Sequence, residues 1–272
     1  MHRRKFGLTV LGLAAASRVV QGQGPVVQGV APVVPSWSQY RPQPGSVKAK
    51  MHSGQQVVQA SAPVDATRAQ MEEIIKKRGG VDIFNLDGQH TPMPTERELA
   101  RFCATAADLG VGVQLRMPHP KLAFLTGRYA DLGILSLFVP LVEEVETVTE
   151  AINNFYFPPL GNRSWGGNLM AAKFGGVGQA APPYTEQTAY AQWWNSVCCL
   201  GLQIESLRAA LNIRNLVRPG IDWIGFGPGD MAFDVARHSH TPFKNNDEAH
   251  NYVIDQLKGY DVRLPPRPGA KP

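Results

Sequence analysis

Six residues of this chain could act together on an oxygen-rich substrate: Asp87, His90, Arg116, Gln203, Glu205 and Asp230. Gln203 and Glu205 lie in and just after the apolar run Cys198–Ile204, and Asp230 lies just after the next run, Ile221–Phe226. If those runs are neighbouring strands, about 4.8 Å apart, the two carboxylates converge. Bare carboxylates so close repel, unless a cation sits between them or one is protonated. Two carboxylates, waters and a bidentate oxygen substrate complete an octahedral oxygen site for Mg²⁺, Mn²⁺ or a similar ion. Arg116 supplies fixed positive charge for an oxygen that becomes anionic. Asp87 and His90, three residues apart, can orient an imidazole and hold its tautomer for proton transfer. Each residue has a plainer alternative. Asp87 can cap the segment after it, His90 can be a loop residue, Arg116 can pair with a surface acid, and Asp230 can be an N-cap. Their gathering on one face is what favours chemistry.

That gathering needs a scaffold, and the sequence alternates strand and helix from about residue 55. Gln56–Ala60, Val81–Leu86, Val111–Leu115, Leu135–Val142, Cys198–Ile204 and Ile221–Phe226 are β-prone. Asp65 is expected to cap a helix with Met71, Ile74 and Ile75 on one side and Gly79 as its stop. Thr95 with Glu98 predicts a capping box. Further helices are expected from Pro120 to about Gly133, over Glu143–Phe155, Ser206–Val217 and Asp247–Leu257, with a possible seventh strand at Tyr260–Leu264. Between Phe157 and Trp194 the alternation breaks into PPLGNRSWGG, KFGGVG and QAAPPY, expected to be a long functional crossover. Strands separated by helical stretches imply βαβ units and a parallel sheet. Without a GxGxxG turn, a (β/α) barrel is favoured over a doubly wound sheet. In a barrel the functional groups sit where strands end, and the six residues fall there.

Composition narrows the classes. Of 272 residues 43% are hydrophobic, which excludes wholesale disorder. No apolar run reaches the length of a bilayer span. Cys103, Cys198 and Cys199 are too few for a disulfide scaffold, and no CxxC pair suggests structural zinc. The net charge of +5 is local: residues 1–64 hold seven of the 27 bases and no acid, leaving 20 bases against 22 acids. A slightly acidic body argues against nucleic acid. The basic head opens Met1-His2-Arg3-Arg4-Lys5-Phe6, followed by apolar Leu8–Ala16 and small residues to Gly22. That is the order of an export signal over residues 1–22, of twin-arginine or ordinary secretory type, so a periplasmic or extracellular location is expected. Residues 23–54 are rich in Pro, Gly and Gln and are expected to be a linker or surface strap. Residues 55–272 then form the barrel.

In order, LDGQH, LRMP, FVPLVE, FPPLGNRSWG, LQIES and GFGPGD resemble the HpcH/HpaI family of class II pyruvate aldolases, with its citrate-lyase relatives, from about Val57 to Tyr260. The resemblance implies a (β/α)8 TIM barrel, here incomplete or open at the C-terminus, because an eighth strand is not visible. It implies Glu205 and Asp230 as ligands of Mg²⁺, Mn²⁺ or Co²⁺. It implies Arg116, Gln203, Gly229 and Asp230 at a small 2-oxo acid substrate, with Asp87, His90 and Arg116 catalytic. Two departures stand out: Gln89 where an acid is frequent, and His119-Pro120 where Asn-Asp often follows. The implied reaction is metal-dependent cleavage of a 4-hydroxy-2-oxo acid to pyruvate and an aldehyde, with no membrane span and a homo-oligomer if the C-terminus is complete. Alternatives are a citrate-lyase-like enzyme on an acyl-CoA thioester, with Arg128, Arg163 and Lys173 near its phosphates, or an exported non-catalytic protein that binds metal and oxo acid. His238 and His240 could be a metal pair or a solvated loop.

Overall fold

The computed structural model describes residues 42–166 and 184–269. The expected export signal, most of the linker and Lys173 lie outside the described residues. Six strands, β1 (Gln59–Ser61), β2 (Ile83–Asp87), β3 (Gly112–Arg116), β4 (Ser136–Val139), β5 (Cys199–Ile204) and β6 (Trp223–Phe226), form one parallel sheet in sequential order. Sequential order with a helix in each complete crossover is barrel-like winding, not the reversing order of a doubly wound sheet.

Alternation along the strands separates two faces. Phe84, Leu86, Val113, Leu115, Leu137, Val139, Leu200, Leu202, Ile204 and Ile224 are buried in the main core. The opposite set is largely polar: Asn85 and Asp87, Gln114 and Arg116, Ser136, then Gln203. Register sets Asp87 opposite Arg116, Arg116 opposite Phe138, Phe138 opposite Gly201, and Gly201 opposite Trp223. Phe138 and Trp223 stack at 4.2 Å. A Cβ at Gly201 would overlap the Trp223 indole, so glycine is what admits the stack.

The helices are α2 (Arg68–Arg78), α3 (Glu96–Asp108), α4 (Thr126–Asp131), α5 (Val145–Phe155), α6 (Tyr184–Val197), α7 (Leu207–Leu211), α8 (Ile213–Leu216), α9 (Pro228–Arg237) and α10 (Asn246–Gln256), preceded by α1 (Val47–His52). The Thr95–Glu98 capping box forms as expected. Asp65 does not cap α2. Thr67 accepts from the Gln70 amide while the Gln70 side chain accepts from the Thr67 amide, so the helix starts two residues later. The Pro120 segment begins as a 3-10 helix, Pro120–Leu125, before α4. The single helix expected over Ser206–Val217 is two, meeting at Asn212. Part of the expected crossover loop is α6, which buries Tyr190, Trp193, Trp194 and Val197. Of the possible seventh strand only a parallel bridge, Arg263 to Trp223, is present. Pro265 and Pro266 follow at once, and proline has no N–H to extend a ladder.

The N-terminal ends of the strands are closed by α1, which lies within the segment grouped above with the linker. Its Lys48 is 0% exposed and donates to the carbonyls of Asn195 (2.9 Å) and Cys198 (3.0 Å) and to the Tyr156 hydroxyl (3.2 Å). Its Nζ is also 3.2 Å from the fully buried Asp222 carboxylate. Asp222 further accepts from Tyr156 Oη (2.6 Å) and the Leu200 amide (2.8 Å). His52 bridges Asp222 (2.8 Å) and Asp261 (2.7 Å). A buried charge is tolerated when paired and fully hydrogen-bonded, and Asp222 meets both conditions.

Candidate active site

The polar face of the sheet continues past the strand ends, where the loops after β2, β3, β4, β5 and β6 meet. β2 ends on Asp87 and β3 on Arg116, opposite each other in register. The Arg116 guanidinium grips Asp87 with two donors, Nε to Oδ1 at 2.9 Å and Nη2 to Oδ2. Asp87 Oδ1 also accepts from the amides of Gln89 (2.9 Å) and His90 (3.3 Å). Partial burial opposes ionisation of Asp87, but the Arg116 bonds, those amides and the Arg116 charge outweigh it and hold the carboxyl below its usual range.

Arg116 Nη1 reaches Gln203 Oε1 at 3.4 Å, and Gln203 Nε2 donates to Glu205 Oε2 at 2.7 Å. Glu205 is 2% exposed. Its other oxygen accepts from the Leu141 amide at 2.8 Å. Gly227, after β6, lies so close that a Cβ there would overlap Glu205 Oε2. Asp230 stands in the first turn of α9, exposed, and near enough to Glu205 for a hydrogen bond between the carboxyls. Burial, above all, pushes the Glu205 carboxyl up to about 7. The Leu141 amide and Arg116 pull it down, and the like charge of Asp230 pushes it further up.

Five of the six singled-out residues thus form one chain of contacts from Asp87 through Arg116, Gln203 and Glu205 to Asp230. His90 joins it only by its backbone. The expected Asp87–His90 side-chain pair is not what forms: both Asp87 oxygens are engaged by Arg116, and the exposed His90 ring makes no hydrogen bond among the described residues. Gly229 is exposed next to Asp230, and a Cβ there would meet nothing. Gly227 is the N-cap of α9 and Pro228 occupies its first turn, a position where proline's missing N–H costs nothing. The amides of Gly229 and Asp230 fall in that same first turn, where a helix presents unpaired N–H groups and positive dipole to an anion.

A sequence profile of the HpcH/HpaI aldolase/citrate lyase family matches residues 64–262. The chain belongs to this family. It is 30% identical over 155 residues to a 4-hydroxy-2-oxovalerate aldolase of Novosphingobium aromaticivorans, covering 56% of this chain and 54% of that protein. It is 33% identical over 167 residues to a 2-dehydro-3,6-dideoxy-6-sulfogluconate aldolase of Pseudomonas putida, covering 60% and 59%. These matches span little more than half the length of the curated relatives. Among solved structures, an HpcH/HpaI aldolase from Desulfitobacterium hafniense DCB-2 superimposes with a TM-score of 0.64 at 24% identity, over 80% of this chain and 79% of that one, a likeness of fold. The sheet is accordingly a curled, half-barrel-like array of six parallel strands among the described residues, like that of the HpcH/HpaI aldolase structure.

Membership of this family directs attention to a divalent cation. Glu205 and Asp230 fit one: a buried carboxylate beside a second, its pKa raised by burial and like charge, is relieved when a cation replaces the shared proton. Among the described residues no group of three or more His, Cys, Asp or Glu could hold a metal ion, so a cation at this pair would need its remaining ligands from substrate and water. His238 and His240 are both exposed, and His238 Nδ1 lies 2.8 Å from the Asp234 carbonyl oxygen. Two of the three bases expected near CoA phosphates are engaged elsewhere. Arg128 pairs with Glu96, and Arg163 pairs with Asp131 while stacked on Phe157 and Trp194.

Sequence reasoning missed Leu141. Its φ of +47° is the only positive value at a non-glycine among the described residues. Nothing in a leucine after Pro140 signals that conformation, and the apolar run placed it inside the expected strand Leu135–Val142, whereas β4 ends at Val139.

Proposed function

We propose that this HpcH/HpaI family member is a divalent-metal-dependent carbon–carbon lyase, cleaving a 4-hydroxy-2-oxo acid to pyruvate and an aldehyde. The observation that carries the reading is the juxtaposition of buried Glu205 with Asp230, tied through Gln203 to the Arg116 guanidinium. Glu205 and Asp230 would hold Mg²⁺, Mn²⁺ or Co²⁺, which when bound supplies Lewis acidity toward the substrate's 2-oxo group. The first-turn amides at Gly229 and Asp230 bind the substrate carboxylate. Arg116, fixed in orientation by Asp87, donates to the 2-oxo oxygen as negative charge develops there. Gln203 keeps Arg116 and Glu205 in register and borders the substrate. His90 takes the proton of the 4-hydroxyl, its electron pair closes the aldehyde carbonyl, and the C3–C4 bond breaks toward C2. A proton returned to C3 completes pyruvate.

The test is pyruvate release from 4-hydroxy-2-oxo acids by the full chain. Release that a chelator abolishes and Mn²⁺ restores supports the reading. Release indifferent to chelator overturns the metal, and no release from any such acid favours a non-catalytic binding protein. The thioester alternative is disfavoured by the pairing of Arg128 and Arg163. Export and self-association belong to the same proposal. Arg3→Lys with Arg4→Lys should strand precursor in the cytoplasm if the head is a twin-arginine signal, and unchanged export points to the general secretory route. Light scattering decides the oligomer.

A further inference from the structure

Leu141 presents a contradiction. Its neighbours Pro140 and Val142 are buried, yet its own side chain is 38% exposed, so packing does not explain why a leucine stands in a left-handed conformation. That region crowds the Cβ of every residue but glycine, and asparagine tolerates it best of the rest. Strain of this kind persists where the surroundings over-determine it and marks sites where geometry matters. What the conformation secures is one bond, from the Leu141 amide to Glu205 Oε1 at 2.8 Å. The next residue is anchored independently, its amide donating to the Gln203 carbonyl at 3.3 Å. The turn is therefore tied to β5 at both the carboxylate and the strand.

We propose that Leu141 is a positioning residue: its left-handed backbone aims an amide that fixes the rotamer of Glu205 for a divalent cation. The inference rests on the reading of Glu205 as a metal ligand. Gln203 Nε2 holds Oε2 from one side and the Leu141 amide holds Oε1 from the other. With both oxygens pinned, the remaining lone pairs have fixed directions, as a ligand set needs. Were the peptide to relax to an extended conformation, the N–H would swing away and Oε1 would lose its donor. The carboxylate could then turn about its side-chain bonds, and cation binding would bear the cost of ordering it. The role belongs to the backbone, so substitutions should sort by tolerance of positive φ and not by size or hydrophobicity.

The experiment compares Leu141→Gly, Leu141→Asn and Leu141→Val in the full chain by calorimetric titration with Mn²⁺, alongside amide hydrogen exchange at residue 141. Gly and Asn, which accept positive φ, should bind Mn²⁺ within about twofold of the parent. Val, β-branched, should bind roughly tenfold or more weakly, the scale of one hydrogen bond to a charged group. Equal affinity of the Val and Gly variants overturns the proposal, as does an equal loss in both, which would assign the effect to the side chain. If Val fails to fold, exchange decides: a residue-141 amide slow in the parent and fast in Glu205→Ala supports the proposal, and one fast in both overturns it. If the parent takes up no Mn²⁺, the metal reading falls, and the same exchange comparison still decides whether the turn fixes Glu205.

Discussion

The two ends of the sheet handle charge in opposite ways. At the N-terminal end Asp222 is buried with Lys48, His52, Tyr156 and the Leu200 amide around it, every partner supplying a donor. Its carboxyl is held below the ordinary range, since the Lys48 and His52 charges and these bonds outweigh burial. At the C-terminal end Glu205 is buried almost as deeply, but its neighbour is another carboxyl, and its pKa is pushed up to about 7. The same residue chemistry is settled in one place and left in conflict in the other. Conflict that folding tolerates among the loops at the strand ends is the ground for proposing a ligand there; settlement is what an end that holds the fold together shows.

The sharpest way to break this contrast is at the settled end. Lys48→Met leaves Asp222 buried with its nearest cation removed, and should cost about 3–5 kcal/mol in denaturant unfolding. Catalysis per folded molecule should be unchanged; a variant of normal stability would show that α1 is dispensable. Next is Arg116→Lys at the other end. Charge is kept but the two-pronged grip on Asp87 is lost. Pyruvate release should fall roughly 10²–10³-fold in kcat with little change in Tm, and near-normal turnover would remove Arg116 from the chemistry.

Much of this was legible in the sequence, for identifiable reasons. Strand ends carry an abrupt change from apolar run to polar residue, so Asp87, Arg116, Gln203, Glu205 and Asp230 could be placed on one face. What failed needs three dimensions. The Asp87–His90 pairing was inferred from spacing along the chain, whereas register gives Asp87 to Arg116 across the sheet. Lys48 sits in a stretch whose Pro and Gly content resembles a linker, and only the fold shows Asp222 waiting beneath it. Tyr184–Val197 looked like loop because its flanks are Gly- and Pro-rich, although the segment itself contains neither.

The pH dependence of stability sharpens the settled end further. Burial lowers the His52 pKa, but its bonds and charges with Asp222 and Asp261 win and raise it above the ordinary 6.5. Its contribution is therefore complete below about pH 6.5 and is lost as pH rises through the raised folded value. Asp222 has the opposite sign. Its folded value lies below the ordinary 3.8, so its contribution is complete above that and is lost as pH falls through the folded value. Thermal melts should show the alkaline decline in the parent and a flatter one in His52→Gln; an unaltered slope would deny His52 its bridge. The smallest effect is a reference outside both ends: Thr95→Ala removes the α3 capping box and should cost about 1 kcal/mol, with no influence on turnover.

The central claim is that the unsettled end is a cation site. Its most direct test is an anomalous difference map from crystals of the full chain grown with Mn²⁺. The account predicts a peak within about 2.0–2.6 Å of carboxylate oxygens from both Glu205 and Asp230. A peak held by other residues, or no peak at this pair at saturating Mn²⁺, would contradict it.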